Sequence, residues 1–218
     1  MINFSILNES LSKLLEGATL SVIITTLALT IGTIGGTLLS LMLLYGNGII
    51  RIIAHAYVTI FRGTPMLVQI AALFFILPYA GIILPAFWAA VLAIGMNSVA
   101  YISQIIRAGI QSIGRGQLEA AQSLGFSRHQ IIQLIILPQA FRTVLPALGN
   151  ECITLIKDSS LASVIGVAEL THQGSMIMNR TYDALTAYAG VAFIYLFMTS
   201  LTSIFLHILE RKLRYVKN

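Results

Sequence analysis

Several polar side chains stand inside runs that are otherwise apolar. Glu151 lies within the run 134–160, flanked by Asn150 and Cys152, and Thr154 and Asp158 follow three and seven residues on. On a helix that spacing puts all three on one face. A second stripe, Asn97, Tyr101 and Gln104, has the spacing i, i+4, i+7 in the run 86–110, with Ser98 beside it. A carboxylate in the middle of a membrane helix costs at least about 2.5–3.5 kcal/mol, so such residues face a cavity or an interface. Asn both donates and accepts, which suits the two ends of a zwitterion. A carboxylate suits an ammonium group or a cationic side chain. Glu151, Asn97, Ser98, Tyr101, Thr154 and Asp158 are therefore the candidate substrate-binding residues. Two readings of Glu151 stay open. It contacts a ligand, or it pairs with a buried cation such as Lys157 or caps a broken helix.

No catalytic constellation accompanies them. His55, His129, His172 and His207 lack the i, i+4 spacing of metal ligands, so no metal site is expected. None of the four lysines stands in a Gly-x-x-x-x-Gly-Lys-[Ser/Thr] loop, so the chain is not expected to bind ATP itself. It reads as a non-enzyme without a cofactor of its own. A stand-alone secondary transporter or channel would call for inverted repeats or paired broken helices, which the sequence does not display.

The elements that hold these residues are membrane helices. Of 218 residues, 57% are hydrophobic and 10% charged, against roughly 25% charged in soluble domains. Spans of about 20 apolar residues are expected at 18–44, 57–80, 86–110, 134–160 and 185–209. The fold class is thus all-α, a polytopic membrane protein of about five helices in a single domain, 1–218. Residues 1–17 lack the basic-then-apolar order of a signal peptide and read as an interfacial helix.

Arg51, Arg62, Arg107, Arg115, Arg128, Arg142, Arg211, Lys212, Arg214 and Lys217 fall on one side of the membrane, and Lys13 and Arg180 on the other. Basic residues favour the cytoplasmic side, which places the N-terminus outside and the C-terminus inside. The formal charge of +5 is accounted for by this distribution, and no nucleic-acid partner is expected.

Gly32 and Gly36 are spaced for close helix packing, within the subunit or in a dimer. Phe61–Pro65 reads as the cytoplasmic start of the second span. The segment 161–184 reads as an external amphipathic helix. Lys157-Asp158-Ser159 reads as the end of the fourth span, with Ser159 or Ser160 capping the helix after it.

One loop, 115–138, is too polar to span. Gln117–Leu124 are good helix formers, Gly125 sits where a helix ends on glycine, and Ser127 with Gln130 makes a capping box that starts a second helix. Pro138 is expected to bend the chain before the fourth span.

In this loop Glu119-Ala120-Ala121, Gly125 and Ile135-x-Leu137-Pro138 resemble the EAA signature of ATP-binding cassette importer permeases. Phe61-Arg62-Gly63-Thr64-Pro65, Arg107-Ala108-Gly109-Ile110, Gly116-Gln117-x-Glu119-Ala120 and Lys157-Asp158-Ser159-Ser160-Leu161 resemble the polar amino acid permeases of the histidine, glutamine and arginine type.

The resemblance implies a coupling helix that meets a separate ATPase subunit through Glu119, Ala120, Ala121, Leu124, Gly125 and Phe126. ATP and Mg would be bound by that subunit. It further implies an external amino-acid-binding protein, a second permease copy or close paralogue, surrounding lipid, and a place in the bacterial inner membrane. The cargo would be a polar amino acid. Glu151 favours a basic one (arginine, lysine or histidine), with glutamine or another neutral polar amino acid as the alternative.

Overall fold

The computed structural model describes residues 2–215. Met1 and residues 216–218, among them Lys217 of the basic set, lie outside the described residues.

Helix α1 runs without interruption over Phe4–Tyr45, 42 residues, with Asn3 accepting from the Ser5 N–H as its cap. At 1.5 Å per residue it is about 63 Å long, twice the roughly 30 Å hydrocarbon core. The separate interfacial helix expected over 1–17 is the first third of this rod. Residues 4–16 contain no proline or glycine to stop a helix. Gly17 is instead a packing position, because a Cβ there would come within 2.9 Å of the Leu170 backbone.

Helix α2, Gly48–Gly63, is capped by Asn47. Thr64 then turns extended (φ −120°, ψ 145°) ahead of Pro65, as a residue before proline prefers. Helix α3, Met66–Ala71, leads into a π-helical turn at Ala72–Ile76 and a 3-10 turn at Leu77–Ala80. The two limbs meet at 105°. The second span expected over 57–80 is therefore interrupted inside its bounds, because Pro65 has no N–H to carry the ladder across. Among the described residues four helices are long and apolar enough to cross a membrane, or five when the bent pair counts as one span.

Helix α4, Ala86–Gln111, agrees with the expected third span and is the most buried of the set. The loop holds α5, Arg115–Ser123, and α6, Arg128–Ile131. A π-helical turn, Ile132–Ile136, joins α6 to α7, Leu137–Asp158. Pro138 does not bend the chain as expected. It lies at the start of α7, where its missing N–H is tolerated, and the helical run continues from Arg128 to Ile165. After α7 come a 3-10 helix, Ser159–Ile165, then α8, Leu170–Thr181, and α9, Ala184–Tyr215.

Neither Ser159 nor Ser160 caps the start of a following helix, and Ser159 instead closes the C-terminal end of α7. Ser159 Oγ donates back to the Ile156 carbonyl, and Glu169 is the cap of α8. Of the segment 161–184, expected to hold an amphipathic helix, Leu170–Thr181 forms α8. Its cap, Glu169, is fully buried, accepting from the Thr171 and His172 amides, the Tyr195 hydroxyl (2.9 Å) and Ser21 Oγ (3.3 Å). Burial pushes its carboxyl up and these donors pull it back. One side chain thus ties α1, α8 and α9 together.

The core is built from small residues. Ala28 of α1, Ala89, Ala90 and Ala93 of α4 and Ala162 pack with Ile24, Ile70, Ile94 and Leu155. Lipid tails are as apolar as these side chains, so close backbone approach and dispersion hold the helices together. Gly32 and Gly36 serve that purpose inside the subunit. A Cβ on Gly32 would lie 2.5 Å from Ser98 Oγ, and one on Gly36 2.8 Å from the Ile102 side chain.

Gly32→Ala should accordingly destabilise the chain by roughly 1–3 kcal/mol through overpacking, read as a lower thermal midpoint in detergent. Ser98→Gly alone also costs stability, through its lost bond to Glu151 and a glycine inside α4, but the two losses should be less than additive when combined. Additive losses in the double variant would show that the two positions do not meet.

Candidate functional site

The two polar stripes converge. Asn97 and Tyr101 from α4, with Glu151, Thr154 and Asp158 from α7, line a cavity of about 310 Å³. That is the small end of the roughly 300–1,000 Å³ range of ligand pockets. The third wall is Thr64, Pro65 and Met66, the break between α2 and α3. The sequence reading assigned no ligand role to those three. Pro65 was the available signal, since broken membrane helices free backbone groups beside cavities.

The chemistry of each residue follows from its neighbours. Ser98 does not line the cavity. It is fully buried and donates through Oγ to Glu151 Oε1 at 3.0 Å, holding one oxygen of the carboxylate. Lys157 is exposed, and Lys13–Glu16 is the one salt bridge among the described residues. Glu151 therefore has a hydroxyl partner in place of a cation.

Asn97 has a smaller repertoire than a free amide. Its Nδ2 donates to the Phe61 carbonyl (3.1 Å) and to Gln69 Oε1 (3.0 Å). Both its hydrogens hold the helix break in place, and only the carbonyl oxygen is left for a ligand. Gln69 Nε2 in turn donates to the Phe61 carbonyl (2.9 Å) and to Thr64 Oγ1 (2.8 Å). The Arg62 guanidinium stands 5.2 Å from the centre of the Tyr101 ring, a cation–π contact worth about 0.5–1 kcal/mol when exposed. The cavity thus has two carboxylates, hydroxyls from Thr64, Tyr101 and Thr154, an amide oxygen, and a guanidinium behind one wall.

The polar loop is a second feature. Gly125 has φ +80° after α5, and Ser127 and Gln130 make both arms of the capping box. Ala121 is buried, whereas Glu119 and Ala120 are exposed, Leu124 is 77% exposed and Phe126 37%. An apolar pair on the tip of a polar hairpin is a surface suited to a protein partner.

An all-helical bundle with a broken span, a polar cavity between helices and a protruding hairpin defines a membrane-spanning transport subunit. Residues 28–215 match the family described as the binding-protein-dependent transport system inner membrane component. The chain belongs to this family and is a multi-pass inner-membrane protein.

Among its relatives is the glutamine transport system permease protein GlnP of Escherichia coli (strain K12), 40% identical over 97% of this chain and 98% of that one. The probable amino-acid ABC transporter permease protein YckA of Bacillus subtilis (strain 168) is 38% identical over 97% and 94%. A crystal structure of an amino acid ABC transporter with histidines superposes with a TM-score of 0.92 at 39% identity, covering 97% of this chain and 99% of the other. The MetNI methionine ABC transporter shares the fold, with a TM-score of 0.79 at 19% identity.

Proposed function

We propose that this chain is the permease subunit of an ATP-driven importer whose cargo is a neutral polar amino acid, with glutamine foremost. The observation that carries it is the joint one of a polar cavity sized for a small molecule and 40% identity over nearly the full chain to a glutamine permease. The expected preference for a basic amino acid gives way on that point. Glu151 and Asp158 remain suited to the α-ammonium group that every amino acid carries. The Asn97 oxygen and the Thr154 hydroxyl suit a side-chain amide.

A basic cargo has one specific observation in its favour. Neither carboxylate in the cavity is ion-paired among the described residues. The two readings separate in one experiment.

The chain is assembled with its ATPase subunit and binding protein in liposomes, and ATP hydrolysis is measured with each amino acid in turn. Glutamine should stimulate more than arginine, lysine or histidine. The reverse order would assign a basic cargo.

The drive comes from outside the chain in this reading. The hairpin 115–138 docks on the ATPase subunit through Glu119, Ala120, Ala121, Leu124, Gly125 and Phe126. ATP and Mg belong to that partner. A binding protein delivers cargo on the opposite side, and a second permease copy or paralogue completes the pathway.

A further inference from the structure

Helix α5 has little to hold it against the bundle. Among its described side chains Ala121 alone is buried and Leu118 half-buried, and Gly116, Gln117, Glu119, Ala120, Gln122 and Ser123 are exposed. Gly114, before it, is in an extended conformation (φ −60°, ψ 133°). Among the described residues one side-chain hydrogen bond leads from α5 to a membrane helix. Gln139 Nε2, in the first turn of α7, donates to Gln117 Oε1. The same Nε2 donates to the Ile135 carbonyl at 2.9 Å. Ile135 belongs to the π-helical turn Ile132–Ile136. An amide nitrogen has two hydrogens, and both are committed here.

Gln139 therefore bridges the hairpin and the one irregular turn between it and α7. Short π-helical turns inside α-helices occur frequently at functional sites. Twelve residues further along α7, about 18 Å at 1.5 Å per residue, stands Glu151 at the cavity. We infer that Gln139 is a positioning residue that transmits displacement of α5 into α7, and through it to the cavity wall. This rests on the reading of α5 as the docking surface for an ATPase subunit. Spatial connection alone is not coupling, so the test reads coupling directly.

The full complex is reconstituted in liposomes, and amino acid moved per ATP hydrolysed is measured together with the amount of ATPase subunit retained. Gln117→Ala and Gln139→Leu each remove the bridge. Each should lower the transport-to-hydrolysis ratio by at least about fivefold, with the ATPase subunit retained at the native proportion. Gln117→Glu keeps an oxygen that accepts from Gln139 Nε2 and leaves the bond from Gln139 to the Ile135 carbonyl in place, and should stay within about twofold of the native ratio.

An unchanged ratio in Gln117→Ala or Gln139→Leu overturns the assignment of Gln139 while leaving the proposed function standing. So does a Gln117→Glu ratio as low as that of Gln117→Ala. A native chain that binds no ATPase subunit overturns the proposed function, and this inference with it.

Discussion

Glu151→Gln should lower amino acid uptake by about tenfold to a hundredfold, the equivalent of one hydrogen bond to a charged group. The substitution is conservative for the fold. A glutamine oxygen still accepts from Ser98 Oγ, which lies 3.0 Å from the carboxylate oxygen it now meets. What disappears is the negative charge that faces the cavity beside Asp158. If that charge holds an α-ammonium group, all amino acids lose affinity together. If it holds a cationic side chain, arginine and lysine lose more than glutamine. Labelled uptake with glutamine and with arginine distinguishes the two. Native rates and native selectivity in the variant would show that Glu151 does not touch cargo.

Leu124→Glu should detach the ATPase subunit, at a cost of about 30-fold or more in its retention by the permease. Leu124 is 77% exposed at the tip of the hairpin, one residue before the Gly125 turn. Burying a leucine against a partner contributes about 1.5–3 kcal/mol, and an unpaired carboxylate in its place adds a desolvation penalty. Because the side chain points into water, the thermal midpoint of the isolated chain should not move. Retention of the ATPase subunit at the native level would place the docking surface elsewhere. This variant and Gln117→Ala differ in kind, since one removes the partner and the other keeps it bound but unlinked.

The parts of the molecule governed by neighbours in sequence were legible before the structure. Ser127 and Gln130 are three residues apart and make their capping box in place. Gly125 adopts the left-handed conformation that its position after α5 required. Asn97 with Tyr101, and Glu151 with Thr154 and Asp158, kept the faces that helical spacing assigned to them and met across one cavity. The third wall was not legible in the same way. The polar run Arg62-Gly63-Thr64-Pro65 was visible, but it read as a membrane boundary and gave no measure of the 105° turn there. Pro65 was read as the start of a span, and it stands between the two helical limbs α2 and α3.

Tertiary facts were hidden for a different reason. That both Asn97 donors are spent on Phe61 and Gln69 depends on contacts 36 and 28 residues away. That Glu169 is a buried cap joining three helices depends on Ser21 and Tyr195. Local spacing contains neither. Gly32 and Gly36 lie between these cases. Their spacing announced close packing, and only the structure supplies Ser98 and Ile102 as the surfaces they meet.

The close seating of α1 on α4 has a mechanical consequence. With glycines opposite Ser98, Ile102 and Ser103, no slack remains for either helix to slide or roll against the other. Such close packing favours movement of the pair as one body along the length of α4. Any swing that exposes the cavity first to one side and then to the other has to be taken up at softer joints. Among the irregular joints are the proline break at Thr64–Pro65 and the π-helical turn before α7, with a further π-helical turn at Ala72–Ile76. The proline break borders the cavity and the turn before α7 adjoins the hairpin, the places where cargo and drive would each be felt.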